Sequence, residues 1–173
     1  VHFHRPRITP DVSGQRFRLE LPISQNRAGA RVRSTLSWAG DVLTVVEVPA
    51  DGDFSPMLDL PVPDDCLHLW GPGEGNLYDI TLELLDASGG VLDTAATYAG
   101  LRSVTIDGMA VKINGERVFQ RLVLDQGQYL DGAYTAPSDA ALIEDIELSL
   151  AAGFNGARLH EKVFEERALY HAD

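Results

Sequence analysis

Apolar residues recur at every second position through much of the first hundred residues, and that period decides what the chain can fold into. Phe17, Leu19 and Leu21 alternate with Arg16, Arg18 and Glu20. Val32, Leu36 and Trp38 alternate with Arg31, Arg33, Thr35 and Ser37, and Ile80, Leu82 and Leu84 with Thr81 and Glu83. Successive side chains on an extended strand point to opposite faces, so each run buries one face and wets the other, as antiparallel strands over a core do. Turn-forming clusters separate the runs at Asn26 to Gly29, Ala39-Gly40-Asp41, Asp51-Gly52-Asp53, Pro61 to Asp65, Gly71 to Asn76 and Ser88-Gly89-Gly90. Seven strands are expected, near 16–22, 31–38, 42–48, 56–60, 66–70, 77–86 and 91–98. They fit a two-sheet immunoglobulin-like sandwich over 1–103. Cys66 is the only cysteine, so no internal disulfide braces it, and Trp38 with the aliphatic inner faces is expected to fill the core.

The pattern then changes. Val104-Thr105-Ile106 and Val111-Lys112-Ile113 flank Asp107-Gly108, and Asn114-Gly115 follows, so 104–118 reads as a β-hairpin connector. Phe119 to Leu124 is a short apolar run, and Asp125 to Pro137 is a polar loop. Ser138 to Ala152 has helical spacing, with Leu142, Ile143, Ile146 and Leu150 on one stripe and Glu144, Asp145 and Glu147 off it. Ser138 is the expected N-cap and Gly153 the left-handed stop. Phe154 to Leu159 returns as a strand, and a second helix begins near Phe164 or Glu165. Strand, loop, helix, strand is one βαβ unit of a parallel sheet. The expected fold class is therefore mostly β, a sandwich followed by a partial (β/α) unit over 119–173.

Charge narrows the function classes. The chain of 173 residues carries 26 acidic against 14 basic side chains, a net −12. Arginines gather in the first third, but Arg16, Arg18, Arg31 and Arg33 alternate with apolar residues and read as a solvated strand face, so no nucleic-acid partner is expected. His2-x-His4 on an extended strand puts two imidazoles on one side, yet without a third ligand the segment reads as a linker or edge strand. Asp51-Gly52-Asp53 needs no ion to be explained as a turn. No metal and no cofactor are expected. No apolar run reaches the roughly 18 residues of a membrane span, so no membrane partner is expected. The N-terminus shows no signal-peptide core, which makes the cytoplasm the expected compartment unless such a segment was removed or never included.

In parallel α/β arrays function gathers at the C-terminal ends of the strands. Two segments end there. The loop from Asp125 through Gln126, Gln128, Tyr129, Asp131 and Tyr134 offers carboxylate, amide and phenol groups suited to sugar hydroxyls, with tyrosine rings for pyranose faces. The second segment is Arg158-Leu159-His160-Glu161, whose period puts Arg158 and His160 on one side. Those two either face a ligand or form an ion pair with Asp125 or Glu161. Glu165 and Glu166 open a helix and point about 100° apart, so they cannot face each other across a substrate.

Asn155-Gly156-Ala157-Arg158-Leu159-His160 resembles the N-x-x-R-x-H segment that ends the second barrel strand in glycoside hydrolase family 2, which contains β-galactosidases, β-glucuronidases and β-mannosidases. Leu69-Trp70-Gly71-Pro72 with Leu77-Tyr78 is similar to that family's L-W-x-P…L-Y. Gly100-Leu101-Arg102 with Ile113-Asn114-Gly115 resembles its G-x-R…N-G connector, and Ser138 to Gly153 its first barrel helix. The family's N-R-H after the first barrel strand is Leu124-Asp125-Gln126 here. The resemblance implies an internal piece of a retaining exo-glycosidase with a carbohydrate substrate, in which Asp125, Gln126, Arg158 and His160 line the sugar pocket. It also implies that the two catalytic glutamates lie beyond Asp173, that a jelly-roll domain precedes Val1, and that the piece alone is inactive. The competing reading is a non-catalytic carbohydrate-binding or scaffolding sandwich. Two barrel strands without neighbours would be mobile or would pair with another copy of the chain.

Overall fold

The alternating runs become seven antiparallel strands in two sheets. One sheet has the order β1 (Arg7–Asp11), β2 (Arg16–Glu20), β5 (Met57–Pro61); the other runs β4 (Asp41–Pro49), β3 (Arg31–Trp38), β6 (Tyr78–Leu85), β7 (Val91–Ala99). This computed structural model describes residues 1–173. Phe17, Leu19 and Leu21 from one sheet and Val32, Leu36, Ile80, Leu82 and Leu84 from the other close a single core, all essentially inaccessible to solvent. Each such side chain contributes about 1.5–3 kcal/mol by leaving water. The β3–β4 turn sits on Ala39 and Gly40, with φ of 51° and 91°, the left-handed pair that lets a two-residue hairpin follow the strand twist.

One expectation is corrected here. No strand forms at 66–70. After a 3-10 turn at Asp64–Cys66, the Tyr78 hydroxyl donates to the Cys66 carbonyl (2.7 Å) and accepts the His68 N–H (2.6 Å). Those are backbone groups that a ladder would have used, and only an isolated bridge from Leu69 to Leu101 remains. The seventh strand is instead β1, paired along its length with β2. Pro10 inside it and Pro6 just before it hid it, and a proline suits an edge position. Trp38 packs against the core as expected, but from its edge. It is half-buried at the margin, stacked on His68 (4.2 Å), while Tyr78 and Phe17 meet edge to face at 5.5 Å inside.

The outer faces explain the arginine-rich third. Register places Arg16 opposite Asp11 and Arg18 opposite Asp59, and Arg33 between Glu47 and Glu83. Ion pairs form at each: Arg16 to Asp11 (3.0 Å) and Asp59 (2.8 Å), and Arg33 to Glu47 (3.1 Å) and Glu83 (3.3 Å). Arg31 also lies against Glu47, without hydrogen-bond alignment. Exposed pairs of this kind contribute about 0–1 kcal/mol each, so their main effect is to neutralise the strip in place. The Asp51 and Asp53 carboxylates take the N–H groups of Gly29 and Ser55, as turn residues do.

The chain divides into two compact units, Val1–Thr105 with Lys112–Glu116, and Ile106–Val111 with Arg117–Asp173. A ribbon follows the sandwich in sequence: β8 (Val104–Asp107), β9 (Ala110–Ile113) and β10 (Glu116–Arg117), in the order β10-β9-β8. Its second turn has the positive φ angles that Asn114-Gly115 predicts, 52° and 82°.

The second unit holds a parallel pair, β11 (Leu122–Asp125) and β12 (Gly156–Leu159), with α1 (Asp139–Ala151) between them in sequence and α2 (Glu166–Ala172) after. Ser138 Oγ accepts the Ala141 N–H at 3.2 Å, the expected N-cap. The end of α1 is a Schellman motif: Phe154 N–H reaches Ser149 O and Gly153 N–H reaches Leu150 O, with Gly153 at φ 87°. The predicted stripe forms but is largely uncovered. Leu142 is buried, whereas Ile143 and Leu150 are 38% and 57% exposed. No helix of the chain is long and apolar enough to cross a membrane.

Candidate functional site

The parallel register sets Asp125 level with Leu159, so the C-terminal ends of β11 and β12 fall side by side. His160 N–H extends the ladder onto Asp125 O at 2.8 Å. At that end Gln126 Nε2 lies 2.8 Å from His160 Nδ1. An amide nitrogen only donates, so in this orientation Nδ1 accepts and the ring hydrogen sits on Nε2, free to be offered. Glu161 Oε1 stands 3.7 Å from that Nε2, beyond hydrogen-bond reach.

The four residues singled out from sequence meet different fates. Gln126 and His160 are brought together. Asp125 is turned to its own backbone, its Oδ1 accepting the Gly127 N–H (2.7 Å) and starting the loop. Arg158 is exposed, level with Leu124 in register, and the ion pair with Asp125 or Glu161 does not form. Asn155 sits at the opposite end of β12, where its side chain takes the Arg121 N–H (2.8 Å) and donates to Phe119 O (3.0 Å). It staples the start of β11 and does not reach the site.

The long loop is anchored by residues that sequence reading passed over. Lys162 Nζ donates to Tyr134 O (2.6 Å) and Gly127 O (3.4 Å) and lies over the Phe164 ring at 4.7 Å. Gly127, at φ 59°, has no room for a side chain, since a Cβ there would come within 3.0 Å of Phe164. Glu165 accepts the Ala136 N–H (3.1 Å) and Arg167 Nε (2.7 Å), and Arg167 reaches on to Asp139 (2.9 Å) and Ala136 O (2.7 Å). The Arg167 hydrogen bond, aided by the Ala136 N–H, holds the Glu165 carboxyl below its ordinary range. On the far side Tyr129 donates to Asp145 (2.9 Å); burial first, then that carboxylate, push its phenol up to about 12. A shallow hollow lined by Gln128, Tyr129, Ala133 and Tyr134 opens in the loop.

Asp125, Asp139, Asp145 and Glu165 each already accept a hydrogen bond within the unit. No group of three or more His, Cys, Asp or Glu side chains is gathered as a metal site, and His2 and His4 meet edge to face at 5.1 Å.

In the sandwich unit three separate sequence segments converge on Trp70. Its N–H bonds Leu101 O (3.0 Å), its carbonyl accepts Asn114 Nδ2 (2.8 Å), and the Arg102 guanidinium covers its ring at 4.5 Å. Gly100 lies so close that a Cβ would fall 2.9 Å from Trp70 Cβ. Asn114 also accepts the Ser103 N–H (2.9 Å). The Leu69-Trp70, Gly100-x-Arg102 and Asn114-Gly115 signals are therefore one physical junction.

These features define the class, a two-sheet β-sandwich with a polar strand-end pair in a following α/β unit. Within it, the chain belongs to family 2 of the glycosyl hydrolases, whose family model matches residues 1–102. A β-galactosidase of Erwinia tasmaniensis is 26% identical over 166 residues, covering 88% of this chain and 16% of that protein. A β-glucuronidase of Paenibacillus borealis is 39% identical over 52 residues, 30% of this chain and 9% of that protein. The fold matches a β-glucuronidase from Ruminococcus gnavus in complex with D-glucuronic acid with a TM-score of 0.78 at 17% identity, over 99% of this chain and 28% of that one. The chain thus spans well under a third of the length of these relatives.

Proposed function

We propose that this chain is a segment of a retaining exo-glycosidase acting on β-galactosides, β-glucuronides or β-mannosides. In this reading 1–103 is the sandwich, 104–118 the connector, and 119–173 the opening βαβα portion of a (β/α)₈ barrel. Asp125, Gln126, Arg158 and His160 form part of the wall of the sugar pocket. Gln126 and His160 present hydrogen-bonding groups to sugar hydroxyls, Asp125 holds the loop in place, and Arg158 offers a cation on the same side of β12.

The observation that carries the reading is the Gln126–His160 hydrogen bond of 2.8 Å across the C-terminal ends of two parallel strands. That end is where barrel enzymes place their chemistry. Glycosidic cleavage by two carboxyl groups needs them about 5–9 Å apart and facing; Asp125, Asp139, Asp145 and Glu165 are committed to the loop and helices, and Glu161 stands exposed beside His160. The chain by itself is therefore expected to be inactive, the cutting pair being supplied by other parts of the enzyme. Incubating the 173-residue chain with aryl β-galactoside, β-glucuronide and β-mannoside tests this. No release of the aryl group is expected, and release that disappears in His160→Ala would overturn it.

A further inference from the structure

Glu161 is the one residue at the strand ends whose backbone is strained. Its φ is +58°, a left-handed conformation that costs a β-carbon-bearing residue free energy and that glycine or asparagine would occupy more cheaply. The neighbours over-determine it. On one side His160 N–H is tied to Asp125 O, and on the other Lys162 Nζ is tied to Tyr134 O and Gly127 O. The chain must turn from the ladder into the loop clasp within one residue, and that residue is a glutamate. Its carboxylate, 79% exposed, is turned back toward the His160 ring with Oε1 3.7 Å from Nε2. Direct bonding is out of reach at that separation, but a hydroxyl oxygen set to one side of the pair, within hydrogen-bond distance of both atoms, could accept from Nε2–H and donate to the carboxylate.

We infer that Glu161 is a specificity-determining residue of the proposed sugar wall, acting with His160 as a paired acceptor and donor for one neutral sugar hydroxyl. This deepens the glycosidase reading and rests on it. Gln126 fixes the ring so that Nε2 carries the hydrogen, His160 donates it, and Glu161 accepts the hydroxyl's own hydrogen. The pairing selects by charge. A hydroxyl satisfies both groups, whereas a uronate carboxylate in the same place could accept from His160 but would face Glu161 with like charge. Hydrogen bonds to an ionised acceptor are the stronger kind, so loss of this one is expected to weaken binding by about tenfold.

The test follows the His160 ring nitrogens by NMR in the labelled 173-residue chain while methyl β-D-galactopyranoside or methyl β-D-glucuronide is added. In the unaltered chain the Nε2–H signal is expected to move with galactoside and to move less with glucuronide. Glu161→Gln keeps the shape and removes the charge. It should weaken the galactoside response about tenfold and reduce the preference over glucuronide. Glu161→Gly should melt no lower than the unaltered chain, since glycine accepts this φ, while losing the galactoside response; this separates the binding role from a folding role. If galactoside binds, is lost in His160→Ala and is unchanged in Glu161→Gln, the role of Glu161 is refuted and the sugar wall stands. If neither sugar moves the His160 signals of the unaltered chain, the wall and Glu161 fall together.

Discussion

Tyr78 and Ser34 are both fully buried in the sandwich core, and both carry a hydroxyl, but removing the two should have opposite consequences. The Tyr78 hydroxyl bridges two backbone groups, donating to Cys66 O and accepting the His68 N–H. Tyr78→Phe deletes both bonds, worth about 0.5–1.5 kcal/mol each, and leaves two partly buried backbone groups to find other partners, for a total cost of about 2–4 kcal/mol. The Ser34 hydroxyl has no partner at all. Ser34→Ala removes an unsatisfied group from an apolar site, so its effect should lie within about 0.5 kcal/mol of zero or be stabilising. Urea unfolding followed by tryptophan fluorescence reads this directly, because Trp38 and Trp70 both belong to the sandwich unit and Trp38 lies 4.9 Å from the Tyr78 ring. With a slope of about 2 kcal/mol per M, Tyr78→Phe should lower the midpoint by about 1–2 M. A Tyr78→Phe midpoint within about 0.25 M of the unaltered chain would refute the claim that the Tyr78 bridge replaces a strand at 66–70, and a Ser34→Ala loss above about 1 kcal/mol would refute the reading of the Ser34 hydroxyl as unsatisfied.

Three further outcomes follow from the α/β unit. Burial and Asp145 raise the Tyr129 phenol from 10.0 to about 12, so the stability it confers is full below pH 10 and is lost as pH rises toward 12. Helix content against pH should show that loss, and Tyr129→Phe should abolish it. Glu165 is held below its ordinary 4.5, so its contribution is present above about pH 4.5 and is lost as pH falls further; Glu165→Gln should flatten the acid limb of α2 hydrogen exchange. The outer edges of β11 and β12 and the uncovered Leu124, Leu150 and Leu159 should make residues 119–173 either exchange rapidly or bring copies of the chain together, as seen by sedimentation. A monodisperse monomer fully protected there contradicts both.

The sandwich was legible because period-two alternation reports burial directly, and the inner faces of β2, β3 and β6 are those that Phe17, Val32 and Ile80 announce. The 66–70 segment misled because Leu67 to Trp70 has strand composition, while the decisive partner, a tyrosine hydroxyl about ten residues on, leaves no periodic trace. β1 was obscured by Pro10, which an edge strand tolerates, and by Pro6 just before it. At the strand ends, the period put Arg158 and His160 on one side, and the structure adds the Gln126 contact that fixes the imidazole. Lys162 and Arg167 were not legible, since their bonds go to backbone carbonyls of a loop whose path no sequence pattern describes. In the sequence Glu161 stood out only as an ion-pair partner for Arg158 or His160, because a left-handed φ is invisible until the turn is seen.

The central claim is that sugar meets the C-terminal ends of β11 and β12 and not the faces of the sandwich. A crystal of the chain soaked with a methyl β-D-glycoside tests it most directly. A pyranose within hydrogen-bond distance of Gln126 or His160 is the expected result. A pyranose held on either sheet of the sandwich, with the strand ends empty, would contradict it and favour a non-catalytic binding module.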